Sequence, residues 1–222
     1  MHDSLQNLSL VKNKINEIIN RKQLKTNPKI IVISKTFGLD KIKPLLENKH
    51  IHFGENKIQE AENKWVETKR NNKNIQLHMV GKLQTNKAKK AIMLFDYIHS
   101  LDNEKLAVKL DTYSNELNKK VKLFIQVNVG SEEQKSGIEL RNLNKFYSYC
   151  TNELSLNIIG LMCLPPADSD PKKYFELLKE RALKLNLTEL SMGMSSDYLQ
   201  AVSSGSTYLR LGTSILGNRN ST

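Results

Sequence analysis

The sequence predicts an α/β protein: a (β/α)8 barrel of the TIM type, preceded by an extra N-terminal helix. Three observations predict it. Eight short apolar, β-branched runs alternate with helix-like stretches from residue 29 onward. Each crossover between runs is long enough for a helix, which makes the strands parallel. The last two runs each end in a turn of small residues, where such barrels often bind phosphate. An open doubly wound sheet is the competing architecture. It usually carries a glycine-rich turn after its first strand, and here that turn is SKTFG, with one glycine.

The elements follow in order. An amphipathic, polar stretch predicts a first helix over about residues 3–24. KIIVIS is the first strand and LDKIKPLLENK its helix. HIHFGE precedes NKIQEAENKWVETKR, and IQLHMVG precedes LQTNKAKKAIMLF. YIHSLD leads to NEKLAVKLDTYSNELNKK, and VKLFIQVNVG to LRNLNKFYSYCTNE. LNIIGLMCLPP is followed by PKKYFELLKERALKLN, LTELSMGM by SSDYLQAVSSG, and STYLRLGTSILG comes last. The strands are apolar rather than strictly alternating, as expected when both faces are covered. The longest loops, GSEEQKSG and CLPPADSDP, follow strands five and six, on the side where barrel active sites sit. GSEEQKSG reads as solvated. No Pro/Gly/Ser-rich linker divides the chain, so one domain is expected over residues 1–222.

A chain of 222 residues buries roughly 70% of its unfolded surface and needs no disulfide or metal staple. Cys150 and Cys163 form no metal-type spacing and no disulfide framework, which fits a reducing cytoplasm. No apolar run approaches the roughly 20 residues of a membrane helix, and the N-terminus does not read as a signal peptide. Net charge is +11, from 34 basic and 23 acidic residues. The lysines are scattered over most helices, with only Lys87–Lys90 dense, and no basic stripe is interleaved with stacking aromatics. No specific nucleic-acid partner is expected.

Several residues are candidates for chemistry. Gly193, Ser195 and Ser196 form the first small-residue turn; Gly212, Thr213 and Ser214 form the second. Free backbone N–H groups and hydroxyls in such turns hold anions. Lys35 ends the first strand, pointing into the barrel mouth or out over its rim. Desolvation or a neighbouring cation lowers a lysine pKa and permits attack on an aldehyde. Arg210 sits inside a strand, where a charge requires a partner; a structural ion pair and a cation beside the phosphate turn are compatible readings. Glu55 and Asn56 end strand two, either as polar site residues or as a helix cap with acidic first-turn residues. His52 and His78 read as core histidines. No His/Cys/Asp cluster has metal spacing and no Ser/His/Asp nucleophile signature is present.

SKT, HFGENKIQEAENKW, LHMVGKLQTNK, IHSLD, QVNVGSEEQKSGI, GLMCLPP and LSMGMSSDYLQAVSSGSTYLRLGTSILG occur in that order across nearly the whole chain. In these motifs the sequence resembles the pyridoxal phosphate homeostasis protein family, small single-domain relatives of the alanine racemase barrel. The resemblance implies a PLP fold-type III barrel holding pyridoxal 5'-phosphate (PLP) as an internal aldimine. Lys35 matches the family's Schiff-base lysine. Ser195, Gly212 and Thr213 match phosphate-holding positions, Arg210 the arginine facing the pyridine nitrogen, and Asn56 a polar residue near the ring. Lys57 and Leu216 depart from the family pattern without touching these positions.

What the resemblance implies about function is a cytoplasmic PLP-binding protein that buffers or carries the cofactor in vitamin B6 homeostasis, and is not a robust enzyme. An arginine opposite the ring nitrogen disfavours its protonation, and a neutral pyridine is a weak electron sink. Related racemases add a second domain with a tyrosine base, for which this length leaves no room beside a full barrel. A weak PLP-dependent amino-acid racemase is the alternative. Apo PLP-dependent enzymes are the expected partners, no membrane is involved, and a monomer is favoured.

Overall fold

The computed structural model describes residues 3–130 and 136–218. Helix α1 (Asp3–Lys22) leads into β1 (Lys29–Ile33), α2 (Leu39–Glu47), β2 (His52–Glu55), α3 (Ile58–Asn71), β3 (Gln76–Met79), α4 (Ala88–Leu94), β4 (Tyr97–Leu101) and α5 (Glu104–Glu116). Then come β5 (Lys122–Asn128), α6 (Leu143–Ser148), β6 (Ile158–Cys163), α7 (Pro171–Lys184), β7 (Glu189–Ser191), α8 (Tyr198–Ser203), β8 (Tyr208–Leu211) and α9 (Thr213–Leu216). All pairings are parallel. β1 lies between β2 and β8, and β4 pairs with β5, so the eight strands close. This is the expected (β/α)8 barrel. One addition was not expected: Ile138–Glu139 pairs with the end of β5, which at seven residues overruns its neighbours. The GSEEQKSG loop falls largely on residues 131–135, outside the described residues.

Local chemistry explains the element ends. Helix α1 buries Leu8, Val11 and Ile15, a stripe at helical spacing, against α2, α8 and α9. It stops two residues before the expected end because Gln23 turns to a positive φ of 51°. Asn103 caps α5, its side chain accepting from Leu106 N at 2.9 Å. Asp170 caps α7, which has Pro171 in its first turn, where the missing N–H costs nothing. Helix α3 is different: Lys57 occupies the cap with no side-chain hydrogen bond, so the Glu55–Asn56 pair is not a cap.

The core has two parts. The larger lies between barrel and helices and includes Phe53, Trp65, Leu77, Phe95, Leu110 and Phe175. The smaller fills the barrel, from Ile31, Ile33, Tyr97, Phe124, Met162 and Tyr208. Gly160 lets β6 and β7 meet: a Cβ there would lie 2.0 Å from the Glu189 carbonyl oxygen. No helix among the described residues is long and apolar enough to cross a membrane.

Candidate functional site

Strand parity aims Lys35 inward. Ile31 and Ile33 both belong to the cluster inside the barrel, and Lys35 is the next residue on that face. The same parity carries Asn56 up from β2 and Gly212 from β8. At the C-terminal mouth, Lys35, Asn56, Ser195, Arg210, Gly212 and Thr213 all line one cavity of about 560 Å³. Val80 and Leu164 form its apolar walls. The six residues matched to the family's cofactor positions therefore lie on one cavity, with Ser196 beside them, whereas the other candidates Gly193, Ser214 and Glu55 are not among its lining.

The two small-residue turns meet at one oxygen. Ser195 Oγ accepts from Gly212 N and Ser214 N, each at 3.3 Å, and lies 3.1 Å from Ser214 Oγ. Ser214, the third member of the second turn, thus supports Ser195 without itself lining the cavity. Gly193 takes a φ of 94°, and a Cβ there would strike Ala201 at 2.5 Å, so glycine alone permits this turn beneath α8.

Arg210 is buried. Its Nη1 donates to Ser191 Oγ at 2.7 Å and its Nη2 to the Cys163 carbonyl at 2.9 Å. The structural ion pair expected of a strand arginine is not what holds it: among the described residues its partners are a hydroxyl and a carbonyl. Burial pushes its pKa down, opposed by nearby Cys163 and Asp197.

Beneath Lys35 lies a group that sequence reasoning undervalued. Glu55 is fully buried. Its Oε1 accepts from Ser34 Oγ (2.7 Å), Lys64 Nζ (2.9 Å) and Trp65 Nε1 (2.9 Å). Lys64 Nζ also donates to the Ser34 carbonyl and to Glu60, and Glu60 accepts from Thr36 N. Thr36 has a φ of 67°, a strained conformation for a β-branched residue. Both residues flanking Lys35 are thereby tied to one buried ion cluster, which fixes the backbone that aims the amine. The spacing of Glu55, Lys64 and Trp65 on β2 and α3 carries no sign of it until the helix folds back over its strand. His78 proves to be a satisfied core histidine, bonded on both ring nitrogens, and His52 is its neighbour.

The comparisons with known proteins fit this geometry. The family model described as the alanine racemase N-terminal domain matches residues 7–220. The pyridoxal phosphate homeostasis protein of Synechocystis sp. is 38% identical over 200 residues, covering 86% of this chain and 91% of that protein. PipY of Synechococcus elongatus, solved with PLP bound, is 33% identical, with a TM-score of 0.79 over 91% of this chain and 100% of its own. Alanine racemase from Clostridium difficile 630, at 14% identity and a TM-score of 0.71, shares the fold over 99% of this chain and 57% of its own. By its sequence and its barrel alike, the chain belongs to the pyridoxal phosphate homeostasis protein family.

Proposed function

We propose that this chain is a PLP-binding protein of intracellular vitamin B6 homeostasis, a buffer or carrier that holds the cofactor covalently on Lys35. The observation that carries the reading is the convergence of an amine, a guanidinium and a hydroxyl-rich double turn on one cavity. The donor set suits PLP. Ser195 and Thr213 would take the phosphate through hydroxyl and N–H donors, beside Gly212, whose own N–H is held by Ser195 Oγ. Lys35 would meet the aldehyde, Arg210 the ring nitrogen, and Asn56 the ring edge. A cavity of about 560 Å³ lies within the usual range for a small cofactor. When bound, PLP supplies an aldehyde that condenses with an amine and loses water.

Carriage is preferred to catalysis on the chemistry of the lining. A guanidinium opposite the ring nitrogen keeps it unprotonated, so carbanions are poorly stabilised. Among the described residues the lining contains no tyrosine, histidine or carboxylate, leaving Lys35 as the one base there. A weak amino-acid racemase is the second reading, favoured by the match to the racemase N-terminal domain. We further propose one domain over residues 1–222, acting as a monomer in the cytoplasm and handing PLP to apo PLP-dependent enzymes. Burial pushes the Cys150 and Cys163 thiols up to about 12, which suits cysteines with a packing role.

The test is borohydride reduction of the PLP-loaded protein with peptide mapping. The pyridoxyl group is expected on Lys35, and Lys35→Ala should lose the visible absorption band while keeping the fold. A label on Lys57 or Lys82 would overturn the assignment. Efficient turnover of D- or L-amino acids, lost in Lys35→Ala, would replace the carrier reading with the enzyme.

A further inference from the structure

Inside an eight-stranded barrel the layers are usually branched and apolar. Here a polar column runs through them. Arg210 Nη1 donates to Ser191 Oγ at 2.7 Å, and Ser191 Oγ lies 2.8 Å from His99 Nδ1. His99 Nε2 is 3.0 Å from His78 Nδ1, and His78 Nε2 is 3.0 Å from His52 Nδ1. Ser191, His99 and His78 are fully buried. His52 is half-buried at the opposite mouth, where Lys29 and Lys122 donate to the hydroxyls of Tyr208 and Tyr97.

The upper end sets the direction of the column. A guanidinium only donates. Ser191 Oγ accepts from it, so the serine's own proton needs an acceptor, and His99 Nδ1 is in reach. His99 then carries its proton on Nε2 and donates to His78, which donates to His52 in the same sense. The opposite polarity would strand the serine proton in a buried site. Stacking locks the ring planes: His78 lies 4.2 Å from Tyr97 and His99 4.3 Å from Phe124, each at 15°. Burial first, then repulsion from neighbouring histidines or Arg210, pushes both buried rings well below the ordinary histidine pKa and keeps them neutral. Each neutral ring turns its lone-pair nitrogen toward Arg210, so three aligned dipoles face a buried cation. The column is not a proton relay, because neither a guanidinium nor a serine hydroxyl yields its proton at neutral pH.

We propose that Ser191, His99, His78 and His52 are positioning residues: a directional hydrogen-bond column that, together with the Cys163 carbonyl, holds the Arg210 guanidinium aimed into the cavity, in the place a carboxylate would otherwise take. This deepens the PLP reading and rests on it for the contact to the ring.

The test starts with the full chain free of PLP. Ring ¹⁵N NMR at neutral pH, assigned by single substitutions, should find His52, His78 and His99 neutral with the proton on Nε2. The Arg210 Nη resonances should be resolved, reporting a guanidinium that does not rotate freely. His99→Leu and Ser191→Ala should average those resonances. His99→Asn should preserve them, because its amide oxygen replaces Nδ1 as the acceptor. In the loaded protein, His99→Leu should shift the visible band and weaken PLP binding about tenfold, and His99→Asn should restore most of both. A proton on His99 Nδ1, a freely rotating Arg210 in the parent, or equal behaviour of the leucine and asparagine variants would each overturn the proposal. If the parent failed to bind PLP, the functional reading would fall while the resonances of the unloaded chain still decided the column.

Discussion

Ser195 Oγ accepts two backbone N–H groups and faces a second hydroxyl, so one atom organises both small-residue turns at the mouth. Ser195→Ala is expected to weaken PLP binding by about 1–3 kcal/mol, the scale of a hydrogen bond to a charged group. Pyridoxal, which lacks the phosphate, should bind the variant and the parent alike; equal losses for both ligands in titration would count against the contact. Glu55 is the other residue whose role exceeds its appearance. Removing it as Glu55→Ala leaves Trp65 Nε1 without its acceptor, Ser34 Oγ with only the 3.5 Å bond to the Gly54 carbonyl, and Lys64 with one carboxylate instead of two. Breaking a buried pair in this way should cost about 3 kcal/mol, read by urea denaturation, and should slow the trapping of PLP on Lys35 by loosening its backbone. Lys35 and Arg210 were legible because a charge beside or within an apolar strand is conspicuous. Glu55 was not, because a carboxylate just before a helix looks like ordinary first-turn chemistry.

At the scale of elements, strand pairing rests on small residues where backbones close in. Gly160 on β6 faces the Glu189 carbonyl of β7 across a gap with no room for a methyl group. Gly160→Ala must part the two strands, at the start of the segment that carries Ser191 and the Ser195 turn. Strain of this kind in a packed sheet costs about 1–3 kcal/mol or more. We expect a lower Tm together with reduced PLP affinity, because β7 delivers the Ser195 turn proposed to hold the phosphate; a variant with parental Tm would show that the strands accommodate the methyl freely. The helices between strands were read in their order, but the short α9 was not set apart from the last run. Their ends were read less well, as at Gln23, because a single left-handed residue ends a helix without changing its pattern.

Across the whole molecule, the buried histidines make stability depend on pH. Burial, the largest cause, lowers both His50 and His52 from 6.5 to about 4, and it holds His78 and His99 well below the ordinary histidine value too. The unfolded chain therefore takes up protons first as pH falls. Each histidine contributes its full stability above about pH 6.5 and loses it progressively toward pH 4, at most about 1.4 kcal/mol per pH unit per group. Urea midpoints should be flat from pH 8.5 to 7 and fall steeply between pH 6.5 and 5, before most carboxylates titrate. A profile flat through that window would mean that the histidines charge without unfolding the barrel.

The closed parallel barrel was legible in the amino-acid order, through eight apolar runs with helix-length crossovers, and so were the two small-residue turns after the last two strands. The sequence also named six of the residues that line the cavity, through their place at strand ends and through the family motifs, while leaving open whether Lys35 points into the mouth or over the rim. Only the tertiary structure decided which residues from different strands stand at the same height. The Arg210–Ser191–His99–His78–His52 column draws on β8, β7, β4, β3 and β2, and the Glu55 cluster needs α3 folded back over β2. Register between strands and the stagger that closes a barrel set those heights, and they are properties of the whole sheet, which no local pattern encodes.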